Sequence, residues 1–170
     1  MVEQNLTFHL GDQVIHWAHG LGEIIELDEK VLSGHTDRYY VVQIRDMTIW
    51  VPITETGESS LRFLTPEGDF QKLFGILSSA GEPLSGDRFE RQNQLAERLK
   101  DGSLESACRV LRDLALHKRV KKMNENDKSV QTRAKKFLLD EWSFVLSVSI
   151  QQADHDLQKL LGASELASRV

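Results

Sequence analysis

Residues 37–53 hold two strand-like runs joined by Arg45-Asp46-Met47. Tyr40, Val42 and Ile44 fall on one face of the first run by period two, and Met47, Ile49, Val51 and Ile53 do the same in the second, which predicts a hairpin with one buried face. The opposite face of the second run carries Thr48, Trp50 and Pro52. A proline cannot donate a ladder hydrogen bond, so this run is expected at a sheet edge. An edge strand with an outward tryptophan can accept a strand from another protein; the alternative is that Trp50 packs under a neighbouring loop.

The same periodicities organise the rest of the chain. Gly11-Asp12 leads into a strand at Val14-Ile15-His16-Trp17, and the two glycines of Gly20-Leu21-Gly22 suit a tight reversal into a second strand, Glu23 to Leu27. Residues 28–36 read as a polar hairpin loop, residues 54–60 as another, and Leu61 to Leu64 as a last short strand. Five short strands with no helix between them predict a small, bent antiparallel barrel over residues 1–64.

At Thr65-Pro66-Glu67 the period changes to that of a helix, with Thr65 as cap and Phe70, Leu73, Phe74 and Leu77 on one face. Ser78 to Asp87 reads as a hinge or linker. A second helix is expected from Arg88 to Lys100 with Phe89, Ala96 and Leu99 inward, ended by Gly102. Ser103 caps a third with an apolar stripe through Leu104, Cys108, Leu111 and Ala115. Asn124 to Asp127 breaks it; a fourth helix spans about 128–149, and a short fifth stops at Gly162 before a frayed tail. The expected class is therefore α+β, a β module followed by about five helices over residues 65–170.

Composition adds bounds. The chain has 170 residues, 40% apolar and 28% charged, with one cysteine. That fits a globular protein with a real core, and Cys108 is expected to be a small core residue. No apolar run is long enough to cross a membrane and no signal-peptide layout opens the chain, so a cytoplasmic location is expected.

The net charge of −5 hides an asymmetry. Residues 1–64 hold four basic and ten acidic residues, a balance of −6, whereas 109–136 hold ten basic and three acidic, a balance of +7. A concentrated basic segment can neutralise phosphates without reading sequence. Arg119, Lys122, Lys128, Arg133 and Lys135 are candidate DNA contacts in it, joined by Arg88 and Arg91 at the start of the second helix; the competing reading is a solvated basic face. Glu141 lies on the apolar stripe of the fourth helix, where an ion pair with Arg112 is one expectation and a place at the wet edge of the seam the other.

No chemistry of catalysis is legible. The six histidines do not cluster with cysteines or carboxylates at metal-ligand spacing, and neither a phosphate cradle nor a nucleophile elbow occurs. The expectation is a protein without metal or cofactor and without enzymatic activity.

Gly11-Asp12-Gln13-Val14, His19-Gly20 and Val51-Pro52, followed by Gly102, Val110-Leu111-Arg112-Asp113-Leu114, Lys128, Ala134-Lys135, Leu138 and Glu141, resemble the CarD-like (CdnL) regulators that bind bacterial RNA polymerase. The similarity covers about residues 8–162. It implies a Tudor-like N-terminal barrel whose edge strand docks on the polymerase β subunit through Lys30, Ile49, Trp50, Val51 and Pro52. It also implies a helical domain that touches promoter DNA at the upstream edge of the melted region and stabilises the open complex. This chain departs from the family at three points: Trp50 stands where well-known members have an arginine, Lys30 replaces a second arginine, and Arg88 takes the place of a tryptophan that wedges into the minor groove. A monomer is expected, and a protein-interaction module of the same fold without promoter activity is the alternative.

Overall fold

The computed structural model describes residues 6–54 and 60–169, and the chain divides into two compact units, Met1–Leu64 and Thr65–Val170. The first is a five-stranded antiparallel sheet made of β1 (Gln13–His16), β2 (Gly20–Leu32), β3 (His35–Ile44), β4 (Met47–Pro52) and β5 (Leu61–Phe63). Their spatial order is β4-β3-β2-β1-β5. Among the described residues β4 pairs only with β3 and β5 only with β1, so the sheet is open and the expected barrel does not close.

Alternation builds the core of this unit. Val14, Ile24, Tyr40, Val42, Ile44, Val51 and Leu61 point to one face and bury there with Phe8. Gly20 turns the chain with a φ of 84°, as expected. Gly22 acts through its missing side chain: a Cβ there would meet the Val42 and Ile44 side chains at 2.7 Å, so only glycine lets β2 and β3 pack this closely.

Residues 28–36, expected as a loop, are mostly strand. β2 and β3 pair out to Leu32 opposite His35, and Ser33 (φ 52°) and Gly34 (φ 81°) both take the left-handed angles of a hairpin turn. The outer half of this hairpin is solvent-exposed, so its residues need not alternate, and the strand signal fades while the backbone ladder continues. Of the loop expected at 54–60, residues 55–59 lie outside the described residues.

The second unit starts with a 3-10 turn, Glu67–Asp69, and continues through α1 (Phe70–Ser78), α2 (Arg88–Leu99), α3 (Leu104–Val120), α4 (Glu125–Leu146) and α5 (Ile150–Ser168). Its main core joins α1, α3, α4 and α5 through Phe70, Leu77, Cys108, Leu111, Leu138, Trp142 and Leu157, among others. Burying a leucine such as Leu138 or Leu157 completely contributes about 2 kcal/mol. A smaller cluster of Leu84, Leu95, Val110 and Leu114 seats α2 on α3.

Several helix expectations are corrected by polar partners far away in sequence. Thr65 does not cap by its side chain; its amide donates to Glu141 Oε2 at 2.7 Å. Arg112 gives its guanidinium to Asp113 Oδ1 (2.9 Å) and Ser79 Oγ (2.8 Å), so the expected Arg112–Glu141 pair is not formed. On α2 the inward residues are Arg91 and Leu95, while Phe89 is 64% exposed.

Ser78 to Asp87 is no hinge between the units. It lies within the second unit, Leu84 is buried, and the Glu82 amide is fastened to Asp113 Oδ1 at 2.9 Å. Asn124 to Asp127 starts α4 rather than merely breaking α3, because the Asn124 side chain and the Asp127 carboxylate cap each other's amides. α5 runs past Gly162 to Ser168, whose hydroxyl accepts from the Gly81 amide at 3.0 Å and ties down the expected frayed tail.

Candidate partner-docking and nucleic-acid interfaces

The hydrogen-bond phase of β4 decides what its free edge offers. The Ile53 amide donates to the Arg38 carbonyl at 2.9 Å, and the pairs run from Tyr39 opposite Pro52 to Ile44 opposite Met47, closing on a two-residue turn. Antiparallel pairs alternate between bonded and non-bonded. Met47, Ile49 and Val51 therefore bond to β3, and the N–H and C=O groups of Thr48 and Trp50 point away from it. At Pro52 the missing N–H falls on the outward side, where no ladder bond is lost.

Side chains sort the same way. Ile49 is half-buried and Val51 buried on the core face, whereas Trp50 and Pro52 stand on the outer face with Trp50 47% exposed. The Trp50 indole is held in place: its Nε1 donates to Asp28 Oδ2 at 3.2 Å, and the Lys30 ammonium sits 5.1 Å from its ring and 5.6 Å from that of Tyr39. The indole thus has partners of its own yet keeps about half its surface open. Thr48 belongs with this set, and its outward place in the period-two pattern is the signal that points to it.

The basic residues divide by where the fold places them. Arg91 is a correction, since it is only 3% exposed and grips Asp127 through two 2.9 Å bonds, so it cannot reach a phosphate from the surface. Burial pushes the Asp127 carboxyl up, but the Arg91 hydrogen bonds, the Asn124 amide and the Arg91 charge outweigh it and hold the carboxyl below its usual range.

This pair fastens the start of α2 to the start of α4, and Lys121 Nζ reaches the Gly86 carbonyl at 3.5 Å. Arg88, Lys121, Lys122 and Lys128 consequently gather at one end of the helical unit, all exposed, although Lys128 also meets Glu125 at 3.5 Å. Arg88 lies over the Phe89 ring at 4.7 Å, so the exposed start of α2 presents an arginine stacked on a phenyl group.

Arg119 and Lys135 go elsewhere. With Lys118 and Lys136 they rim a cleft of about 770 Å³ between α3, α4 and α5, floored by Leu111, Leu139, Leu157 and Leu161. Acidic neighbours neutralise them: Arg119 faces Glu165 at 3.8 Å and Lys135 faces Asp154 at 3.0 Å. The hydrogen bond from Lys135 holds the Asp154 carboxyl below its usual range. Arg133 is exposed and lies 6.0 Å from the Phe137 ring. No cluster of metal-ligating side chains occurs among the described residues, and no helix among them is long and apolar enough to cross a membrane.

Comparison with known proteins bears on the same two units. Residues 8–63 match the CarD-like/TRCF RID domain, and residues 72–158 match the CarD C-terminal domain. The chain belongs to the CarD-like family. This CarD-like protein is also 24% identical over 147 residues to a Bacillus subtilis (strain 168) protein named "Putative transcription factor YdeB", a similarity covering 85% of this chain and 96% of that one. The first matched region contains the whole sheet, and the second contains α2 to α4 with the Arg91–Asp127 clamp.

Proposed function

We propose that this CarD-like protein regulates transcription by adding its β4 edge to a strand of the RNA polymerase β subunit while its helical unit contacts promoter DNA and stabilises the open complex. One observation carries the reading: β4 is an outer strand whose Thr48 and Trp50 backbone groups face away from the sheet beside an exposed, positioned indole. Family membership supports transcription regulation through RNA polymerase.

On the DNA side, Arg88, Lys122 and Lys128 form the phosphate-facing group, with Arg133 further along α4. Arg119 and Lys135 contribute less because Glu165 and Asp154 already meet them. Phe89 provides the apolar group next to Arg88. In place of one inserted tryptophan the chain presents a cation and an aromatic ring on consecutive residues, a combination suited to a narrow minor groove with a partly unstacked step.

The test is the lifetime of the open complex on a promoter fork with cognate polymerase, with and without the protein. Wild type should prolong it, and Trp50→Glu should abolish the effect. Polymerase binding without any change in lifetime would favour an interaction module that has lost promoter activity.

A further inference from the structure

The outer face beside β4 carries a charge pattern that specifies the chemistry of the guest strand. The register places Glu26, Val41 and Trp50 in one row across β2, β3 and β4, and Asp28, Tyr39 and Pro52 in the next. A strand added to β4 puts the residue opposite Trp50 at the end of the first row, on the same face, with Cβ atoms about 5 Å apart. Its side chain would lie over the open half of the indole, whose other edge is hydrogen-bonded to the Asp28 carboxylate.

The charges around that spot are mostly acidic. Glu26 and Asp37 are exposed and Asp28 is half-buried, while the cation beside them, Lys30, is held against the Tyr39 and Trp50 rings and lies opposite Asp37 in the ladder. The unit as a whole holds four basic and ten acidic residues. Lys30 also demonstrates that the ring accepts a cation at 5.1 Å. On the core-side face the guest's alternate residues would lie next to half-buried Ile49 and Ile53.

We infer that the edge selects an extended protein segment with a lysine or arginine opposite Trp50 and apolar residues at the alternate positions. This deepens the docking reading and rests on it for the identity of the partner, but the charge preference belongs to the edge itself. An acidic guest residue would face Glu26 and Asp28 across the indole.

Two measurements separate the docking reading from the charge preference. The first titrates the full-length protein with cognate core polymerase, comparing wild type, Asp28→Lys and Glu26→Lys, with folding checked by thermal melts. The charge preference predicts about tenfold weaker binding for each variant and a flatter salt dependence; unchanged or tighter binding overturns it. The second follows the Thr48 and Trp50 amide resonances as alternating-valine peptides with lysine, alanine or glutamate at the central position are added. Affinity should fall in that order. A flat or reversed order, or no binding by any peptide, overturns the preference. If polymerase fails to bind wild type while the lysine peptide is preferred, the polymerase reading fails and the preference stands.

Discussion

The Arg91 guanidinium holds the Asp127 carboxylate in parallel, Nε to Oδ1 and Nη2 to Oδ2, each at 2.9 Å, with the two side chains 4% and 1% exposed. Asp127 is at once the partner of Arg91 and half of the capping box that starts α4. Removing the arginine strands a buried carboxylate. Arg91→Ala is therefore expected to cost the helical unit about 3–5 kcal/mol, read as a shifted denaturation midpoint. Wild-type stability would show that the pair is dispensable.

His117 is 3% exposed, its Nε2 has no hydrogen-bond partner among the described residues, and burial, with the nearby Arg91 charge, lowers its pKa from the ordinary 6.5 despite the opposing pull of Asp127. Because the folded state binds this proton less well than the unfolded chain, stability is complete above 6.5 and falls as pH drops below it. His16 in the sheet unit, lowered by burial and by His19, acts in the same direction. Melting temperature should decline as the pH drops below about 6.5, and His117→Leu should flatten that decline for the helical unit. Asp127 adds a separate loss at lower pH, below its ordinary 3.8.

Burial pushes the Cys108 thiol up to about 12. At about pH 8 the native protein should react with a thiol-alkylating reagent only as fast as it opens, and denaturant should release the reaction in step with unfolding. Rapid modification of the native state would place Cys108 outside the α3 core.

The Arg88–Phe89 pair gives a prediction for promoter work. Phe89 is 64% exposed, so Phe89→Ala should leave the melting temperature within about 1 °C of wild type, since surface substitutions change stability little. It should nevertheless shorten the open complex. Arg88→Ala should instead weaken DNA binding and reduce its salt dependence by about one phosphate contact.

Much of the fold is legible in the chain because short-range periodicity writes it. The buried face of β3 with Ile49, Val51 and Ile53 beside it, the edge position announced by Pro52, the Ser103 cap and the Gly102 stop each follow from residues within a few positions of one another, whereas Met47, expected on that same face, is 40% exposed next to the turn. What escapes depends on distant partners. Arg91 reads as a surface cation because its carboxylate lies 36 positions away. Phe89 reads as core because an apolar residue in a helix usually is. Pairing Glu141 with Arg112 is reasonable on charge alone, but the Thr65 amide reaches the carboxylate, and Asp113 and Ser79 reach the arginine.

Strand addition at β4 is tested most directly by amide hydrogen exchange of the full-length protein with and without cognate core polymerase. Bound polymerase should slow exchange at the Thr48 and Trp50 amides, which face away from β3, and leave the already bonded Ile49 and Val51 amides nearly unchanged. A complex that forms while Thr48 and Trp50 exchange as fast as in the free protein would contradict the account.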